Sequence, residues 1–134
     1  MKYLILLFCS SVYADNQLFI DQVGSYNNLT INQSSSISAS TYADIHVNGD
    51  HNVAIITQES ISGYKNATLT LNGTKKSVEI VQQGTGNHQA SVSLSGENSG
   101  LNLFQVGSIS QSYSLTFNCT TPGGCAPIQV YQGQ

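Results

Sequence analysis

Nine times in succession the chain sets three apolar or amide residues at alternate positions and ends the run two residues later with Gly, Ser or Cys. The copies are Leu18/Ile20/Gln22/Gly24, Leu29/Ile31/Gln33/Ser35, Ala43/Ile45/Val47/Gly49, Ala54/Ile56/Gln58/Ser60 and Ala67/Leu69/Leu71/Gly73. Val78/Ile80/Gln82/Gly84, Ala90/Val92/Leu94/Gly96, Leu101/Leu103/Gln105/Gly107 and Tyr113/Leu115/Phe117/Cys119 continue the series, and a ragged tenth copy ends at Gly133. Alternation over five to seven residues gives a strand with one buried face, and the Gly, Asn and Ser between copies are turn residues. No segment carries a 3.6-residue period, so the expected fold is all-β.

The anchors alternate between shorter and longer gaps, so the repeating unit is two strands. Every second anchor, at 24, 49, 73, 96 and 119, marks one rung of a β-solenoid with about five two-strand rungs and two facing parallel sheets. Stacking the rungs gives a column of amides, Gln33, Gln58, Gln82 and Gln105, spaced 25, 24 and 23 residues apart. The matching position in the other strand holds Gln22, Val47, Leu71, Leu94 and Phe117, so only one column is a Gln ladder. Stacked side-chain amides donate to one neighbour and accept from the other, as in cross-β cores. No helix is foreseen over either end, and strand edges left uncovered extend the sheets of a second copy.

Composition fits a self-associating strand stack. Charged residues make up 8% of the chain, against about 25% in an average domain, while 40% of residues are hydrophobic and the formal charge is only -3. A disordered chain combines low hydrophobicity with high charge, so this one has the means to order and little to keep its copies apart. Four Lys and Arg residues without a basic cluster exclude nucleic acid as an expected partner.

Residues 1–14 read as a signal peptide, with Lys2, the apolar run from Tyr3 to Phe8 and small residues at Val12 and Ala14 before a cut. The run is shorter than the roughly 20 residues of a membrane span. Cys9 as a lipidation site is a poor fit because Phe8 precedes it directly. Residues 15–134 then form one repeat domain, exported through the periplasm. In that oxidising setting Cys119 and Cys125, six apart with Pro122, Gly123 and Gly124 between them, suit a small disulfide loop. A metal site needs further ligands that are not nearby.

The stretch Gln22-x-Gly24-x-x-Asn27-x-Leu29-x-x-x-Gln33 resembles the curlin repeat of bacterial curli fibres, with Leu in the usual Ala place. Gly49-x-x-Asn52-x-Ala54-x-x-x-Gln58 matches again, with Val47 in place of the first Gln, and Gln82-x-Gly84-x-x-Asn87 and Gln105-x-Gly107 are partial copies. The Ser36–Thr41 turn and the cysteine loop depart from the pattern. The resemblance implies an extracellular functional amyloid, as major subunit or nucleator, used for biofilm matrix and adhesion. It also implies self-association into fibres, a nucleator or partner curlin subunit, and secretion through a dedicated outer-membrane channel.

Other sites are weaker. His46, His51 and His88 read as solvated turn residues, with no carboxylate or thiol to complete a metal shell, so no metal or cofactor is expected. The many Ser lack a nucleophile elbow and the scattered acids form no acid/base pair, so neither an enzyme nor a small-molecule substrate is expected. The Asn-x-Ser/Thr triplets at Asn28, Asn32, Asn66, Asn72 and Asn118 follow from composition. Lys65, Lys75 and Lys76 read as turn residues that serve either as aggregation gatekeepers or simply for solubility. The alternative reading of the whole chain is a monomeric secreted β-solenoid binding or adhesin module. Such a module wants a uniform outward ladder, and the outward residues Phe19, Asp21, Thr30, His46, Ile55, Thr68, Thr70 and Glu79 are mixed.

Overall fold

The computed structural model describes residues 5–10, 16–24, 26–35, 40–49, 51–121 and 123–133. The cleavage site after Ala14, positions 36–39 of the long turn, and Pro122 lie outside the described residues. Eleven strands and no helix are present among them: β1 (Ile5–Ser10), β2 (Asn16–Asp21), β3 (Asn28–Ser35), β4 (Thr41–His46), β5 (Val53–Ser60), β6 (Lys65–Thr70), β7 (Lys76–Gly84), β8 (His88–Gly96), β9 (Ser99–Val106), β10 (Gln111–Cys119) and β11 (Ile128–Gly133).

The strands form a β-solenoid of two stacked parallel sheets with about five turns. One sheet runs β1-β3-β5-β7-β9-β11 and the other β2-β4-β6-β8-β10, so consecutive strands from β2 onward cross between sheets and each pair makes a rung. Every pairing is parallel and in register: Ile31 lies opposite Ile56, Ile56 opposite Ile80 and Ile80 opposite Leu103. In the other sheet Ile20, Ile45, Leu69, Val92 and Leu115 form one column.

The alternation decides what is inside. β3 alternates exposed and buried residues along its whole length, and the later strands repeat the pattern. Between the sheets lies an aliphatic core that includes Ile45, Ile56, Leu69, Leu71, Ile80, Leu94, Leu101 and Leu103, all fully buried. Burial of one such side chain contributes about 1.5–3 kcal/mol, so the middle rungs are held by apolar contact with the rungs on both sides. At the ends of the stack β2, β10 and β11 pair on one side only, and Leu18, Ile20, Tyr113, Leu115, Phe117, Ile128 and Val130 are only partly buried against the core.

The turn from the second sheet to the first is fixed by a glycine column. Gly24, Gly49, Gly73 and Gly96 have φ of 101°, 113°, 75° and 84°, the left-handed region that glycine occupies without strain. They stack so closely that a Cβ on Gly73 would overlap the Gly96 carbonyl oxygen. At the last rung the column ends on Cys119, which pairs with Gly96. There the connection to the next strand is longer: Gly96 to Leu101 spans 5 residues, and the register-matched Cys119 to Ile128 spans 9. The Cys119–Cys125 disulfide closes this insertion, with the two Cα atoms 5.9 Å apart.

The Gly73→Ala variant is expected to lose about 1–3 kcal/mol from backbone strain alone, and more from the overlap, when unfolding is followed in urea. Gly123→Ala, where an added Cβ meets nothing within 4 Å, is expected to leave the midpoint unchanged.

Candidate assembly surface: the amide rail and the strand edges

The four column glutamines stand in register on alternate-residue positions of β3, β5, β7 and β9. Each hands an amide hydrogen to the next. Gln33 Nε2 donates to Gln58 Oε1 at 2.7 Å, Gln58 to Gln82 at 2.8 Å, and Gln82 to Gln105 at 2.7 Å. The rail has a fifth member, for Gln105 Nε2 donates to Gln132 Oε1 at 2.8 Å. The spare hydrogen crosses to the facing sheet: Gln58 donates to the Tyr42 carbonyl at 2.9 Å, Gln105 to Gln89 at 2.8 Å, and Gln132 to Ser112 at 3.3 Å. The amides therefore bind rung to rung and sheet to sheet at once. Gln58, Gln82 and Gln105 are fully buried, where an unpaired amide costs about 1–3 kcal/mol, so the rail is stable only when continuous.

The repeat-motif residues divide by environment. Gln22 is half-buried above the apolar column, and Gly24 and Gly49 belong to the left-handed glycine column. Gly84 and Gly107 stack on each other at the opposite corner. Asn27 and Asn52 are buried, Asn27 donating to the Val23 carbonyl at 3.2 Å and Asn52 Oδ1 accepting from the Lys76 backbone N–H at 3.4 Å. Asn87 is exposed instead, and its side-chain oxygen accepts the Tyr64 N–H at 2.8 Å.

The reading of Lys65, Lys76 and His88 as solvated turn residues is corrected by the structure. All three occupy the first, inward-facing position of a strand and are at most 1% exposed. Asn52 and Lys76 continue in register to Ser99 along one corner, and Thr41, Lys65, His88 and Gln111 line the other. Lys65 Nζ donates to the Gly86 carbonyl, and Lys76 Nζ to Thr74 at 3.2 Å. Burial pushes both ammonium groups below their usual range, with Glu97 opposing the shift at Lys76. Burial also pushes the His88 imidazole down, and the neighbouring Lys65 adds to the effect. The backbone of Gly107 and Ile109 lies near that ring, but neither nitrogen closes a hydrogen bond of good geometry.

Lys75 is exposed. His51 is exposed and stacks on Tyr26 with ring centroids 4.7 Å apart. His46 faces outward, 3.2 Å from Asp44 and 4.0 Å from Asp21. Such exposed pairs contribute little to stability. Among the described residues no three His, Cys, Asp or Glu side chains converge on a metal-sized site.

The chemistry available is thus backbone and amide hydrogen bonding at strand edges. β2 and β10 border one sheet, β1 and β11 the other. No family model matches the chain, and no curated protein or solved structure matches it either.

Gln82→Leu is expected to leave a Gln58 donor and the Gln105 acceptor unpaired and to cost about 2–5 kcal/mol in urea unfolding, with a smaller loss for Gln132→Ala at the end of the rail. Because the folded pKa of His88 lies below its ordinary 6.5, the ring is neutral in both states above that value and its full contribution is present there. As pH falls through 6.5 the unfolded chain takes up the proton first, so stability drops. Freshly prepared monomer is expected to show this acid loss, and His88→Gln to flatten that part of the pH profile.

Proposed function

We propose that the chain is a structural subunit of an extracellular, curli-type fibre that polymerises by end-to-end stacking of rungs and serves biofilm matrix and adhesion. The observation that carries the reading is the last rung. β10 and β11 present unpaired strand edges, and beneath them Tyr113, Leu115, Phe117, Ile128 and Val130 are only half-covered. The three rungs between the first and the last bury their counterparts in the same register completely or nearly so. The missing cover is one more rung of the same kind.

The amide rail supports the same reading because it is polar. Gln33 opens the chain of donors and Gln132 ends it. In the pattern of Gln105, one amide hydrogen crosses to the facing sheet and the other passes along the rail. Gln132 gives one to Ser112 and retains the second for a rung beyond it. The first rung of a second copy brings the acceptor that matches, in Gln33. Low charge removes the repulsion that ordinarily keeps strand edges apart.

In this reading the subunit is exported with residues 1–14 as its signal peptide and crosses the outer membrane through a dedicated channel. A partner curlin subunit nucleates it at the cell surface. Its partners are copies of itself and related subunits, and it carries no catalytic step.

Residues 15–134 released from denaturant are expected to become pelletable, with sheet-rich filaments in electron micrographs. A Leu115→Lys/Val130→Lys variant, which sets charge under the last rung, is expected to stay in the supernatant while keeping its β-sheet circular dichroism. A wild-type chain that remains monomeric for days would count against the fibre and for a monomeric binding module.

A further inference from the structure

One end of the stack is partly closed in the full chain. β1 runs parallel to β3 and pairs with it from Ile5 opposite Leu29 to Ser10 opposite Ser34. The effect on the first rung is uneven. In β3 the residues Leu29, Ile31 and Gln33 are 4%, 5% and 7% exposed. In β2 of the same rung, Leu18 and Ile20 stay half-buried, and among the described residues no strand pairs with the outer edge.

We propose that residues 5–10 are an intramolecular capping strand, which holds the first-rung end of the stack shut against a second copy until this segment is removed. The proposal rests on the fibre reading and adds its control. In an end-to-end stack, the outer edge of β3 receives β11 of the next copy. β1 lies on that edge, and a strand edge offers a single outer set of N–H and C=O groups, so the two strands exclude each other. They are also alike in reach, since β1 pairs with β3 over six residues and β11 pairs with β9 over six.

The cap imitates the joint incompletely. Cys9 stands opposite Gln33, the register position that Gln132 holds opposite Gln105 at the far end. Cysteine has no amide, so β1 completes the backbone ladder without continuing the rail, and it leaves β2 uncovered. A second copy supplies both strands and the amide. The cap prevails over this better partner through its tether: a short connection gives an effective concentration on the order of millimolar, above that of dilute subunits. Cutting the connection forfeits that advantage. The apolar run that reads as an export signal would then also keep the precursor from polymerising before export.

The test compares three purified chains: residues 1–134, residues 15–134, and residues 1–134 with Leu6→Pro/Leu7→Pro. Residues 15–134 retain the entire core, from Leu18 to Val130. Adjacent prolines remove two N–H groups from β1 and block its pairing whichever of the two faces β3. The first readout is amide exchange in the monomer, which is independent of assembly. The alternate β3 amides between 29 and 34 that point to β1, rather than to β5, are expected to be protected in the full chain and to exchange at least about tenfold faster in the other two, equivalent to about 1.4 kcal/mol. The second is elongation of sheared 15–134 filaments, expected to be at least about tenfold slower with the full chain and restored by the prolines. Equal β3 exchange in all three chains, or equal elongation by the full and shortened chains, overturns the cap. Failure of residues 15–134 to form filaments, with the exchange difference intact, overturns the fibre reading on which the control of assembly depends.

Discussion

Parallel, in-register pairing at the strand spacing of about 4.8 Å is the constraint on which the rest of the structure depends. It requires each inward side chain to pack against the residue at the same position one rung away. Aliphatic residues meet the requirement by contact, as in the column from Ile31 to Leu103. Glycine meets it at the corner where backbones approach too closely for a Cβ. Glutamine meets it because its amide is both donor and acceptor, so a column of one residue type satisfies itself. A column of carboxylates in the same place would repel, and a column of hydroxyls would not reach.

The amide rail does more than fill its column. By bonding across to Tyr42, Gln89 and Ser112 it links the two sheets where the apolar core gives way to the corners. The corners hold the buried Lys65, Lys76 and His88. A lysine inside a thin slab is tolerated because turn carbonyls, those of Gly86 and Thr74, lie within reach of the ammonium. The glycine turns that bring rungs close thus also supply the acceptors. The same arrangement leaves His88 without a good partner, so protonation of its buried ring works against the fold.

The two-strand rung, the facing sheets and the register of Gln33, Gln58, Gln82 and Gln105 were legible in the sequence because strict alternation and a near-constant step leave little freedom. Gln132 was not, since the insertion between Cys119 and Ile128 breaks the step by 4 residues. The buried corner residues were missed for a different reason. Lys65 lies two before Ala67, Lys76 two before Val78 and His88 two before Ala90, all on the inward parity. Extending the alternation one step toward each strand's start would have placed them inside, against the usual inference from charge. Asn87 resembles Asn27 in its spacing from glycine, but the opposite corner has different turn lengths, so it comes to lie outside. The pairing of β1 with β3 had no periodic signal at all, because a short apolar run reads equally as a leader and as a strand.

The central claim is that the sheets and the rail run on from one molecule to the next. High-resolution cryo-imaging of filaments of residues 15–134 tests it most directly. The account predicts one subunit per five rungs, a rise of about 24 Å, with β11 of one copy beside β3 of the next and Gln132 within hydrogen-bond reach of the neighbour's Gln33. Filaments in which the β3 and β11 edges face solvent, with subunits joined through the outer sheet faces, would contradict it.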